Sequence, residues 1–159
     1  MKSNSPRLDD FLAFSVVMTG FSNFNLEGTG QASSYFSTTV DVVGEDLVGE
    51  LLDLYRQVEQ DASDDEVTLE NGLRNRILSH PKLGPVGRNI IKLWYVGVWY
   101  QLPSEWRQAY GAREKDSTFV VSAQAYPEGL LWPAIGANPS GAKGPGYGTW
   151  GEKPVFGQL

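Results

Sequence analysis

The residue types that could bind a nucleotide cofactor occur near the end of the chain. Gly146, Gly148 and Gly151 have the spacing of the dinucleotide-binding motif G-x-G-x-x-G. In that motif the glycines follow a parallel strand and open a helix whose N-terminus receives the pyrophosphate. Neither element is predicted here, because glycine and proline recur on both sides of the match. We therefore interpret the match as chance.

An acidic stretch in the middle of the chain has part of a calcium-loop pattern. Asp61, Ser63 and Asp65 have the spacing of the first ligands of such a loop. However, the sixth position is Glu66 instead of glycine, and the twelfth is Gly72 instead of glutamate. Acidic residues at the start of a helix stabilise its dipole. The stretch therefore predicts a helix cap and not a metal site.

Other chemically active side chains are sparse. His80 is the single histidine, and it follows a predicted helix whose last carbonyls it can meet. Cysteine is absent, which excludes thiolate nucleophiles, disulfides, iron–sulfur clusters and cysteine-type zinc sites. The carboxylate pairs Asp9/Asp10 and Glu45/Asp46 stand where helices are predicted to begin. The sequence therefore predicts no catalytic residue, no metal site and no cofactor site on this chain.

Composition limits the class of protein. The chain has 159 residues, 41% of them hydrophobic, which suits one domain with a real core. A net charge of −6 with 13 Lys and Arg argues against a nucleic-acid partner. The apolar run from Phe11 to Met18 is shorter than the roughly 20 residues of a membrane span. Asp9 and Asp10 stand where a secretory signal would be basic. We expect no membrane span and a cytoplasmic location.

Helical periodicity dominates the first two thirds of the chain. The apolar spacing and the capping signals predict helices over residues 9–19, 31–43, 45–60, 63–79, 85–98 and 104–110, with a turn-rich link at 22–29. The helix at 63–79 starts with the capping box Ser63-Asp64-Asp65-Glu66. The first helix is apolar on nearly all sides, so we expect it to be buried.

The last third of the chain has a different character. Phe119-Val120-Val121 predicts a strand within residues 117–124, but no second segment of similar quality is predicted to pair with it. Extended coil on the helices, a ribbon with the tail, and addition to a partner's sheet all remain open. The expected fold is mainly α: a small helical bundle over residues 9–111, with an extended segment and a Gly/Pro/aromatic tail over 112–159.

The tail carries large aromatic residues among helix-breaking residues. Ordering about 30 residues costs roughly 30–45 kcal/mol, and its apolar groups return only about 15–30 kcal/mol when buried. Disordered segments, by contrast, are usually poor in aromatic residues. A tail that packs on a partner subunit reconciles both facts. The expected anchors in this interface are Tyr126, Trp132, Tyr147, Trp150 and Pro154.

Three sequence patches together resemble a known family. They are Phe11-x-x-x-Ser15-x-x-x-Thr19-Gly20, Ile90-Ile91-Lys92-Leu93-Trp94-Tyr95-Val96-Gly97, and Tyr126-Pro127 followed by Gly146-Tyr147-x-x-Trp150-x-x-Lys153-Pro154. In their order and spacing the chain resembles the small subunit of bacterial FAD-dependent sugar and polyol dehydrogenases, such as sorbitol, fructose and glucose dehydrogenases. Trp94, Tyr95 and Gly97 belong to the middle patch, and we expect Trp94 and Tyr95 in the core.

The resemblance implies a non-catalytic subunit that is needed for the assembly, stability and maturation of a large flavoprotein of the glucose–methanol–choline (GMC) type. FAD and the substrate site would then belong to that partner, and a cytochrome c or another acceptor would take the electrons. Small subunits of this family can carry a twin-arginine signal, which residues 1–8 lack. A periplasmic location, with the signal removed, is the alternative to a cytoplasmic one.

A second hypothesis belongs to another class of function. A free-standing module could bind a sugar or an aromatic ligand on a tryptophan-rich surface, as the 5 tryptophans would allow. This hypothesis predicts a stable monomer. The first predicts a complex with a flavoprotein.

Overall fold

Helices make up most of the structure, a computed structural model that describes residues 6–139. The helices are α1 (Pro6–Thr19), α2 (Asn23–Gly28), α3 (Ala32–Val43), α4 (Glu45–Ala62), α5 (Glu66–Gly72), α6 (Leu83–Val96), α7 (Ser104–Tyr110) and α8 (Leu131–Ala134). A π-helical segment, Leu73–Leu78, continues α5. Two short strands, β1 (Val98–Trp99) and β2 (Phe119–Val120), form an antiparallel pair. The predicted mainly α bundle is confirmed.

Helix α1 lies at the centre of the core, as its apolar composition predicts. It packs against α2, α3, α4 and α6. Phe11 and Phe14 are completely buried. The ring of Phe14 meets Tyr55 of α4 edge-on at 5.6 Å, and the ring of Phe11 lies 5.4 Å from that of Phe36 in α3. These aromatic contacts fix α1 between its neighbours.

The polar residues of the first patch are part of α1 itself. Ser15 Oγ donates to the carbonyl of Phe11 at 2.7 Å, and Thr19 Oγ1 donates to the carbonyl of Ser15 at 2.7 Å. These bonds to the preceding turn satisfy two hydroxyl groups inside the bundle. Gly20, with φ of 77°, then ends the helix in the left-handed conformation.

Two local predictions were wrong. The link at 22–29 contains α2, because Ser22 Oγ accepts from Asn25 N and Leu26 is completely buried under the helix. The cap of α5 is Asp65 and not Ser63. Asp65 Oδ2 accepts from Thr68 N at 2.9 Å, while Ser63, with φ of 46°, ends α4.

The strand prediction also needs correction. Helix α6 ends at Val96 and does not reach Val98, because Gly97 adopts the left-handed conformation with φ of 69°. The chain then extends as β1, which pairs Val98 with Val120. The predicted strand at 119–121 therefore has a partner within the chain, in the residues that directly follow α6.

The loops after β1 converge on one buried carboxylate. Asp116 is 3% exposed, and its Oδ1 accepts from Trp99 Nε1 and from Leu102 N, both at 3.1 Å. Its other oxygen lies 3.1 Å from Nε of Arg107 in α7. The backbone carbonyl of Asp116 accepts from Gln101 Nε2. One side chain thus joins β1, α7 and the approach to β2.

Candidate partner-docking surface

Residues 121–136, here called the clasp, are fastened to the carboxyl end of α6 by main-chain hydrogen bonds. Val121 N donates to the carbonyl of Gly97 at 3.0 Å, and Leu130 N donates to the carbonyl of Trp94 at 2.9 Å. The last carbonyls of a helix have no partner within it, so these bonds satisfy groups that would otherwise need water. Ala125 and Leu130 are buried and join the same core as the helices.

Two glycines allow the clasp to approach this closely. A Cβ atom on Gly97 would lie 2.5 Å from Cβ of Ala125, and one on Gly129 would lie 2.7 Å from the carbonyl oxygen of Tyr95. Real Cβ atoms do not come so near. Gly97 therefore ends α6 and also leaves room for the clasp.

An aromatic pair marks the outer face of the clasp. The rings of Tyr126 and Trp132 meet at 5.5 Å and 78°, and Trp132 Nε1 donates to the carbonyl of Tyr126 at 2.9 Å. Tyr126 is 42% exposed, while Trp132 is partly buried. Leu131 and Ile135 are exposed beside them in sequence. We call Tyr126, Leu131, Trp132 and Ile135 the clasp surface. The sequence predicted this part of the chain to be extended, but the clasp contains turns and α8.

The other expected anchors, Tyr147, Trp150 and Pro154, lie outside the described residues, and so does the G-x-G-x-x-G match. Of the five anchors predicted from the sequence, the structure describes Tyr126 and Trp132 and brings them into contact. The sequence did not predict this contact, because it depends on the turns between the two residues.

The middle patch lies directly under the clasp. Trp94 is completely buried, with its ring 5.0 Å from Tyr35 at 88° and 6.4 Å from Phe11. Tyr95 is partly buried, and its hydroxyl donates to the carbonyl of Thr19 at 3.0 Å. The expected core position of Trp94 is confirmed. Tyr95 packs against that core while partly buried, and it also ties α6 to the end of α1.

Burial also changes the chemistry of one tyrosine. Tyr35 is completely buried, and burial, assisted by the negative charge of Glu128, raises the pKa of its hydroxyl well above its usual range. Within the described residues, neither the Tyr35 hydroxyl nor Trp94 Nε1 has a hydrogen-bond partner. The two rings supply apolar area and edge contact to the core, with no use of their polar groups.

Three of the tryptophans are core residues. Trp94 and Trp99 are completely buried, and Trp106 is 7% exposed with its Nε1 donating to the carbonyl of Lys82. Of the four tryptophans in the described part, Trp132 is the one that is not buried. Three of the four tryptophans in the described part therefore belong to the core.

The remaining candidate sites have structural roles. His80 Nδ1 accepts from the backbone N–H groups of Lys82 and Leu83, both at 3.2 Å, so His80 caps the start of α6 and does not meet the carbonyls expected from the sequence. Hydrogen bonds from Thr68 lower the pKa of Asp65. Within residues 6–139, no group of three His, Cys, Asp or Glu side chains could hold a metal ion.

A groove of about 1120 Å³ lies between α1, α3, α4 and the π-helical segment. Two ion pairs lie at the groove: Arg7 donates to Asp53 at 2.7 Å, and Lys82 donates to Glu50 at 2.6 Å at its edge. Glu45 and Asp46 also line it. Gly49 lines the floor with no large side chain.

No protein-family model, curated protein or solved structure matches this chain. None of the helices in the described part is both long enough and apolar enough to cross a membrane.

Proposed function

We propose that this chain is a non-catalytic small subunit that binds and stabilises a large FAD-containing, GMC-type dehydrogenase subunit. The observation that carries the proposal is the clasp surface: apolar side chains held on a main-chain-fastened support, the first of them Tyr126, in the third patch that resembles the small-subunit family. In this proposal the flavin and the substrate site belong to the partner.

The physical support comes from the cost of binding. Aromatic residues that are already ordered lose little freedom on docking, and such residues dominate interface energies. Tyr126 and Trp132 hold each other edge-on, and the hydrogen bond from Trp132 restrains the indole. Apolar side chains that are exposed to water on an ordered support favour binding, because a partner that covers them removes apolar surface from water.

The resemblance supplies the identity of the partner. Electrons would pass from its FAD to a cytochrome c or to another acceptor, with no redox group on this chain. Fractionation of the host separates the cytoplasmic location from the periplasmic alternative. The substrate is expected to be a sugar or another alcohol.

The first test is co-purification. The chain is expressed alone and together with a GMC-type flavoprotein encoded beside it, and both samples are analysed by size-exclusion chromatography with light scattering and flavin absorbance. We expect a yellow complex that contains both chains, and a lower yield of FAD-loaded flavoprotein without this chain. A monodisperse chain that does not bind the flavoprotein would refute the proposal.

The second test uses two tyrosines of nearly equal exposure. Tyr126 is 42% exposed in the clasp, and Tyr110 is 41% exposed on α7, where its ring contacts Trp106. We expect Tyr126→Ala to weaken the complex about tenfold or more, equivalent to about 1.4 kcal/mol. Tyr110→Ala should change affinity less than threefold. Trp132→Ala and Trp150→Ala should weaken binding like Tyr126→Ala, and equal effects of both tyrosine variants would contradict this surface.

A further inference from the structure

Helix α2 presents a phenylalanine to water. Phe24 is 84% exposed, although phenylalanine is among the residues most often buried. Its helix is well anchored: Leu26 is completely buried, Ser22 Oγ accepts from Asn25 N at 3.2 Å, and Thr29 Oγ1 donates to the carbonyl of Leu26 at 2.7 Å. Phe24 is therefore exposed on an ordered, capped helix that packs on α1, and not on a frayed helix end.

Helix α2 lies at the same end of the bundle as the clasp. The link is Tyr95 of α6, whose hydroxyl donates to the carbonyl of Thr19, just before α2. The ring of Tyr95 meets Phe21 edge-on at 6.0 Å. The carbonyl oxygen of the same residue lies against Gly129 of the clasp. One residue thus contacts both the approach to α2 and the clasp.

The exposed area shows why α2 matters. The exposed parts of Tyr126, Leu131 and Ile135 amount to roughly 300 Å², taking usual side-chain areas. A stable interface buries about 800 Å² on each partner. These three side chains therefore supply less than half of that area, and Phe24 adds roughly 150 Å² of apolar area at the same end.

We infer that Phe24 on α2 is a further anchor of the docking surface, covered by the same flavoprotein subunit that covers the clasp. This inference rests on the proposed function. The occupant is a large apolar face of that subunit, wide enough to span from α2 to the clasp. The docking surface then has two rigid supports, α2 and the clasp, joined through Tyr95.

The test compares Phe24→Ser with Val67→Ser. Val67 is 67% exposed on α5, which packs on α4 and the π-helical segment, and it is the matched control. Affinity for the flavoprotein is measured by titration, and the melting temperature of each variant is recorded. We expect Phe24→Ser to weaken the complex tenfold or more, Val67→Ser less than twofold, and both to melt like the parent chain.

A second measurement does not depend on affinity. A photoreactive phenylalanine analogue in place of Phe24 should crosslink to the flavoprotein, and the same analogue in place of Val67 should not.

Each outcome separates the two proposals. Binding of Phe24→Ser within twofold of the parent, with Trp132→Ala still weakened, would overturn the role of Phe24 and leave the proposed function intact. Absence of any complex with the parent chain would overturn the proposed function itself. A homodimer of the isolated chain that Phe24→Ser converts to monomer would assign the α2 surface to a second copy and overturn the inferred occupant.

Discussion

Replacement of Asp116 by alanine should weaken the connection between β1, α7 and β2 and destabilise the fold. The carboxylate is 3% exposed and serves three groups: Trp99 Nε1, Leu102 N and the guanidinium of Arg107. Alanine removes the acceptor without filling its space. The indole N–H of Trp99, whose side chain is completely buried, and the N–H of Leu102 then have no partner.

The cost follows from these groups. A buried donor left without a partner costs about 1–3 kcal/mol, and two such donors are created. The Arg107 side chain is 32% exposed, so it regains water when the ion pair is lost, and that contact adds at most about 1 kcal/mol. We therefore expect Asp116→Ala to lower the free energy of unfolding by about 3–5 kcal/mol. For a chain of this size the melting temperature falls by about 6–20 °C.

The matched variant is Asp116→Asn, which keeps an oxygen for both N–H groups but places an amide NH₂, a donor, in place of the oxygen that faces Arg107. It should cost about 1–2 kcal/mol. Urea denaturation, followed by the fluorescence of the tryptophans, measures both variants. If Asp116→Ala stays within 1 kcal/mol of the parent chain, or if the asparagine variant is equally destabilised, the two N–H bonds do not carry the stability assigned to them.

Three further predictions concern the core and the clasp. Gly97→Ala should lower the free energy of unfolding by about 2–4 kcal/mol, because a Cβ at this position adds a clash with the clasp to the cost of the left-handed backbone. Gly20→Ala, with φ of 77° and nothing within 4 Å, should lower it by only about 1–2 kcal/mol. Equal costs of the two variants in chemical denaturation would contradict the close approach of the clasp to Gly97. Trp94→Ala should cost about 3–5 kcal/mol and weaken the complex as well, and a calorimetric melting temperature unchanged from the parent would rule this out. Burial raises the pKa of the Tyr35 and Tyr55 hydroxyls, so their ionisation favours the unfolded chain. Their contribution to the free energy of unfolding is intact below the unfolded pKa of about 10 and is lost as the pH rises further. Absorbance titration should show both tyrosines ionising only when the chain unfolds.

The long helices could be predicted because burial repeats along them. Leu47, Leu51, Tyr55 and Val58 recur at helical spacing in the sequence, and all four are buried on one side of α4. The same reasoning holds for α1, whose apolar faces are nearly all covered. Periodicity over ten or more residues averages out local exceptions such as Gly49.

The short elements could not be predicted in the same way. Strand β1 has two residues, and its pairing with β2 depends on contacts between residues about 20 positions apart. A left-handed glycine at position 97 decides where α6 stops, but the apolar spacing continues past it to Val98 and favoured a longer helix. Helix α2 depends on the burial of Leu26, which a six-residue stretch cannot indicate.

The candidate site was predictable in part. Aromatic residues among glycines and prolines pointed to Tyr126 and Trp132, because such segments cannot form a core of their own. Phe24 was missed, since a single aromatic residue in a predicted link has no pattern around it. The support beneath the clasp was also missed, because main-chain bonds to Trp94 and Gly97 leave no signal in side-chain types.

The central position of α1 has a consequence during synthesis of the chain. Phe11 leaves the ribosome early, but Trp94, whose ring packs against it, is synthesised about 80 residues later. At about 5–20 residues per second, the side of α1 that faces α6 stays uncovered for roughly 4–16 s. Any nascent chain that stops before α6 keeps that side of α1 exposed, so α1 is the segment that a ribosome-associated chaperone should bind.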